Sequence, residues 1–69
     1  MSAPVVVHHP SSMGGRAVTI DGQIAGLALD DGDLVEILRG AGFYDAEYLL
    51  DNPNWIEWRG GRAHRYEPA

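Results

Sequence analysis

Apolar and polar positions follow two different periods along this chain. Residues 16–29 and 55–66 alternate in the manner of strands, whereas Leu34, Ile37, Leu38 and Ala41 recur at helical spacing. Ahead of both patterns stands Val5–Val6–Val7, a β-branched run bounded by Pro4 and Pro10. It predicts a short strand near an edge or terminus, because proline cannot donate to a sheet ladder. Residues 8–15, His8 to Gly15, are rich in turn formers and predict a flexible loop.

Arg16–Ala17–Val18–Thr19–Ile20 and Gln23–Ile24–Ala25–Gly26–Leu27–Ala28–Leu29 flank Asp21–Gly22. Asp-Gly between apolar runs predicts a hairpin, since a type I′ turn needs positive φ at both central residues. A two-residue loop pairs Ile20 with Gln23, Thr19 with Ile24 and Val18 with Ala25. Strict alternation then puts Val18, Ile20, Ala25 and Leu27 on the core face. Gly26 marks either a bulge or the close approach of another element.

Asp33 followed by Glu36 fits a capping box, and Asp30 and Asp31 suit the positive end of a helix dipole. The helix carries Leu34, Ile37, Leu38 and Ala41 toward the sheet, with Arg39 in its last turn. Gly42 fits the residue after the C-cap in a Schellman motif, bringing Phe43 back onto Leu38. Asp45–Leu50 predicts a second, short helix ended by Asn52–Pro53.

Gly60–Gly61 between Arg59 and Arg62 predicts a second hairpin. Its register pairs Trp58 with Ala63, Glu57 with His64, Ile56 with Arg65 and Trp55 with Tyr66. Ile56, Trp58 and Ala63 then face the core, while Trp55, Glu57, Arg59, Arg62, His64 and Tyr66 share the opposite face. The whole pattern predicts a single α+β domain over residues 1–69: an antiparallel sheet of four or five strands packed on one long and one short helix. Residues 1–4 and 68–69 are expected to fray. At Asp45–Ala46–Glu47, Leu49–Leu50 and Trp55–Ile56–Glu57–Trp58–Arg59–Gly60–Gly61 the sequence resembles small uncharacterised actinobacterial proteins of similar length. That resemblance implies no activity and no functional residue.

Composition narrows the functional classes. A chain of 69 residues buries only about 60% of its unfolded surface, and domains of this size commonly need a staple. With no cysteine, disulfides and thiolate-bound zinc are closed routes, which makes a homodimer a candidate solution. The net charge of −5 disfavours nucleic acid and anionic membrane surfaces as partners. No long apolar run is present, so nothing in the sequence predicts a membrane span, and Met1–Pro4 lacks a signal-peptide pattern. The expected location is the cytoplasm. All five basic residues are arginine, a bias that suggests a GC-rich bacterial source.

His8, His9 and His64 do not have metal-ligand spacing, since adjacent strand residues point to opposite faces. Asp30–Asp31–Gly32–Asp33 misses the glycine and glutamate positions of a calcium loop and is better read as helix capping. Ser11–Ser12 lies in no nucleophile elbow, and Met13–Gly14–Gly15–Arg16 lacks the lysine and serine or threonine of a phosphate loop. Glu57 and His64 could form a cross-strand acid–base pair, but an exposed pair of this kind is ordinarily a solvated ion pair. No cofactor and no catalytic residue is therefore expected. Trp, Tyr and Arg concentrate binding energy at interfaces, so the expected function is a non-enzymatic protein–protein interaction module. Its expected contact residues are Trp55, Glu57, Arg59, Arg62, His64 and Tyr66, with a protein partner or a second copy. A nucleic-acid-associated regulator and a minor enzyme or metal-binding protein are the alternative readings.

Overall fold

The computed structural model describes residues 3–68; Met1, Ser2 and Ala69, part of the ends expected to fray, lie outside the described residues. The fold is α+β, as the pattern predicts. Four strands, β1 (Val5–Val7), β2 (Arg16–Ile20), β3 (Gln23–Ala28) and β4 (Ile56–Trp58), form one sheet in the order β3-β2-β1-β4. A single helix, α1 (Asp31–Gly40), and a 3-10 turn at Ala46–Tyr48 lie between β3 and β4. The short helix expected over residues 45–50 is thus only one turn, and Asp45 makes no side-chain cap.

β2 and β3 form the expected hairpin. Asp21 and Gly22 both adopt positive φ, and Ile20 pairs with Gln23 and Thr19 with Ile24. Beyond that point the register slips: Val18 faces Gly26, not Ala25. The extra residue is a β-bulge, and a one-residue slip turns every later side chain to the other face. This overturns the core positions expected on β3. Ala25 and Leu27 are exposed, and Ala28 is buried in their place. Gly26 also admits a close neighbour, because a Cβ there would lie 3.0 Å from Ile37 Cδ1. The helix therefore rests directly on the strand.

Helix α1 begins one turn earlier than the capping-box reading. Its N-cap is Asp30, whose Oδ1 accepts from the Asp33 amide at 2.8 Å, while the Asp33 carboxylate accepts from the Leu29 amide at 3.0 Å. Leu34 and Leu38 are buried, Ile37 is half-buried, and Ala41 is exposed at the C-cap instead of facing the sheet. The helix ends as expected: Gly42 has φ +101°, the Phe43 amide donates to Leu38 at 2.9 Å, and Gly42 donates to Arg39 at 3.0 Å. That double bond satisfies the last carbonyls and folds Phe43 onto the core.

The two largest corrections concern the sheet's other half. β1, near the N-terminus, is not itself an edge strand; it lies between β2 and the edge strand β4. The second hairpin does not form. β4 instead runs parallel to β1, pairing Val5 with Ile56, Val6 with Glu57 and Val7 with Trp58, which makes the sheet mixed. None of the partners expected across Gly60–Gly61 is paired, and Ala63 is exposed, not core. Because β3 and β4 sit at opposite edges, the intervening chain must cross the sheet. It crosses one face, where Val5, Val7, Val18, Ala28, Leu34, Leu38, Ala46, Leu50, Ile56 and Tyr66 make the core. Among the described residues, no helix lies over the other face.

Candidate functional site

Two constructions position the chemistry-bearing residues. The first is built on Arg16, the opening residue of β2. Strand alternation puts Arg16 on the same face as Val18 and Ile20, so its side chain enters the core, where it is fully buried. The guanidinium has five N–H donors in a planar fork, and every one is used. Nε donates to the His8 carbonyl at 2.7 Å; Nη1 donates to Arg62 and Arg65 carbonyls at 3.0 and 2.9 Å; Nη2 donates to Arg59 at 2.6 Å and to Gly60. The Trp58 ring lies 5.3 Å from its carbon centre, a cation–π contact. Burial pulls the arginine pKa below its ordinary value, partly countered by Tyr66. Arg16 has no free donor to offer a ligand. It is a clamp for residues 59–65.

The second construction joins that same segment to the start of α1. His64, in left-handed conformation at φ +67°, places Nδ1 2.6 Å from Asp31 Oδ2 and Nε2 2.5 Å from Asp51 Oδ1. Both ring nitrogens can donate only when the imidazole is protonated. The Asp51 hydrogen bond, with further help from Asp31, raises the His64 pKa above its ordinary value against the opposing effect of burial. The Tyr66 hydroxyl donates to Asp31 Oδ1 at 2.7 Å, and burial first, then this bond, raises the tyrosine pKa. Trp58 contacts both rings, tilted against His64 at 5.0 Å between centroids and edge-on to Tyr66 at 6.1 Å, and its Nε1 donates to the Leu50 carbonyl at 2.9 Å.

The six expected contact residues therefore occupy five places. Tyr66 is buried in the core and His64 is held in the carboxylate clasp. Trp55, half exposed, meets Phe43 edge-on at 6.2 Å. Arg62 borders an open groove with His9, Pro10 and Pro68. Glu57 and Arg59 pair with each other rather than Glu57 pairing with His64. By alternation Glu57 points away from Ile56 and Trp58, so this pair belongs to the outer, uncovered face of the sheet.

That outer face has no helix over it among the described residues. Val6, Ala17, Thr19, Ile24 and Leu27 alternate onto it from three adjacent strands. Ile24 is 83% exposed, Leu27 56% and, just beyond edge strand β3, Leu29 62%; Leu27 and Leu29 both border Gly15, and the three form an apolar ridge. Beside the ridge lies a shallow groove of about 380 Å³ lined by Val6, His8, Thr19 and Arg59, among others. His8 Nε2 and Thr19 Oγ1 are hydrogen-bonded at 3.0 Å along it. The sequence reading missed this face because it assigned Leu27 to the core; the signal was Gly26, which it had already marked as a possible bulge.

Among the described residues, no group of three or more His, Asp or Glu side chains is arranged to hold a metal ion, and no helix is long and apolar enough to cross a membrane. No protein-family model, curated protein or solved structure matches the chain. The functional reading therefore rests on the chemistry of these surfaces.

Proposed function

We propose that the protein is a small, non-enzymatic interaction module that meets a protein partner through the uncovered face of its sheet. The observation that carries this reading is the Ile24–Leu27–Leu29 ridge, exposed in a row on a face over which no helix packs. Together these side chains expose on the order of 400 Å² of apolar surface, the size of the largest patch on a typical monomer, which is often functional. The polar chemistry elsewhere is committed to the fold: Arg16 has spent its donors, and His64 and Tyr66 are tied to Asp31. A general nucleic-acid partner is disfavoured by the net charge of −5.

Site-specific photo-cross-linking tests the reading. A cross-linker placed at Leu27 is expected to give discrete protein adducts in cells, while the same group at Glu36, on the exposed side of α1, gives none. Equal patterns at the two positions, or no adduct at Leu27, would sink the proposal.

A further inference from the structure

Arg16 has spent its own donors, but the peptides it holds have a second side. A planar trans peptide keeps the carbonyl of one residue and the amide N–H of the next on opposite sides. The carbonyls of Arg59 and Gly60 both turn in to Arg16 Nη2. The amides of Gly60 and Gly61 therefore point away from the guanidinium, and neither finds a backbone acceptor among the described residues. Both glycines are exposed and stand in the left-handed region, at φ +66° and +65°. Successive outward amides in a turn of this kind make an anion-binding concavity. The Arg16 cation behind the same two peptides adds to the positive potential there.

These glycines line a groove of about 580 Å³. Pro10 and Pro68 give it apolar walls, and His9, Arg62 and Arg65 stand around them. Arg62 is exposed, and its guanidinium makes no ion pair among the described residues. Arg65 meets Glu67 at 3.4 Å, with both side chains about two-thirds exposed. Glu67 is the one carboxylate among the lining residues, so two arginines outweigh it even before Arg16 is counted. The sign of the chain's net charge is reversed at this place. A Cβ on Gly61 would meet nothing nearer than Pro10 Cδ at 3.9 Å, which leaves the backbone open to a ligand.

We propose that this groove is a binding site for the phosphomonoester of a small organic molecule. The phosphoryl oxygens accept from the Gly60 and Gly61 amides and from the Arg62 guanidinium, while the organic group lies against Pro10 and Pro68. Phosphate suits this donor set better than carboxylate. It brings three terminal oxygens and a charge of about −2 to two amides and a guanidinium fork. The groove is also of the size that small-molecule sites have, more than an inorganic ion fills. Neither the Ile24–Leu27–Leu29 ridge nor its partner is involved.

The test is an NMR titration of the isotope-labelled full chain with phenyl phosphate at about pH 7.5, where a phosphomonoester is mostly dianionic. The Gly60 and Gly61 amide resonances are expected to move downfield and saturate, with a Kd of about 1 mM or tighter. Arg62→Gln should weaken binding at least about fivefold, and Glu67→Gln, which releases Arg65, should strengthen it about twofold. Both side chains are exposed, and the first variant keeps the Arg62 carbonyl on Arg16, so the rest of the amide spectrum should match the parent. Inorganic phosphate should bind more weakly than the ester, and acetate more weakly still. Glycine amides that do not move up to about 10 mM ester overturn the inference, as does an affinity unchanged in Arg62→Gln. Acetate binding as tightly as the ester would overturn the choice of phosphate, and inorganic phosphate doing so would overturn the organic part. A single-stranded DNA oligonucleotide that displaces phenyl phosphate at lower concentration would overturn the small-molecule assignment.

Discussion

The two halves of the sheet are built in opposite ways. On one side, β2, the Asp21–Gly22 turn, β3 and α1 follow one another in sequence, and each meets its neighbour. The turn closes residues three apart, the cap joins Asp30 to Asp33, and the Schellman bond joins Leu38 to Phe43. On the other side, β4 finds β1 about fifty positions upstream, and residues 59–65 are held by Arg16 across separations of 43 to 49. The first half is stabilised by local geometry and apolar packing. The second depends on one cation and the carbonyls gathered around it. Local closure costs little chain entropy, so the first half can form early; the second must overcome a long loop before any of its bonds form.

The sharpest way to break this contrast is Arg16→Met. The substitution keeps an apolar stem but strands five carbonyl groups that Arg16 now satisfies. A loss of about 3–5 kcal/mol is expected, comparable to breaking a buried charged contact. Natural domains of this size hold only about 0.05–0.15 kcal/mol per residue, so urea unfolding should show little or no folded baseline. Arg16→Lys should recover only part of the loss, because an ammonium cannot reproduce the planar fork. Full stability in either variant would show that the clamp is incidental.

Paired glycine substitutions sharpen the same comparison. Gly22 and Gly60 both have positive φ, +84° and +66°, but a Cβ at Gly22 meets nothing within 4 Å, whereas one at Gly60 overlaps His9 Cβ. Gly22→Ala should cost about 1 kcal/mol, the price of the left-handed backbone alone. Gly60→Ala should cost about 2 kcal/mol or more, because the chain must also move away from His9 in the loop after β1. Equal costs by thermal unfolding would mean that the Gly60 packing is loose.

The smallest effect is that of pH on the His64 clasp. The folded-state pKa of His64 is raised, chiefly by Asp51. Its contribution is therefore complete below the ordinary histidine value near 6.5 and lost as pH rises through the raised value. His64 is about one-third exposed and Asp51 mostly so, hence solvent screening holds the effect below about 1 kcal/mol. Urea midpoints should fall on the alkaline side in the parent and stay level in His64→Gln. An identical fall in both proteins would assign the pH dependence to another group.

Legibility in the sequence follows the same division. The first hairpin, the helix, the Schellman end and the α+β class could be read from neighbouring residues, because the interactions that set them span five positions or fewer. The bulge at Ala25 could not be read with certainty from alternation, and it moved Ala25 and Leu27 out of the expected core. The C-terminal stretch misled for a physical reason: Gly60–Gly61 does adopt the positive φ of a tight turn, but the chain beyond it finds backbone-hungry guanidinium donors rather than a strand partner. Arg16 itself was within reach. Once Val18 and Ile20 are placed on the core face, alternation places Arg16 there too, and a buried arginine must find acceptors. Of the six expected contact residues, only Glu57 and Arg59 lie on the face proposed here for binding.

The Arg16 clamp has a consequence for biosynthesis. When residues 1–58 have been translated, every strand of the sheet exists, yet the guanidinium still lacks four of its five acceptors, all supplied by residues 59–65. A nascent chain halted at that point carries an unpartnered cation in what should become its interior. Completion of the fold is thereby coupled to the emergence of this one short segment, and a premature stop before it gives a product that quality-control proteases can recognise as unfinished.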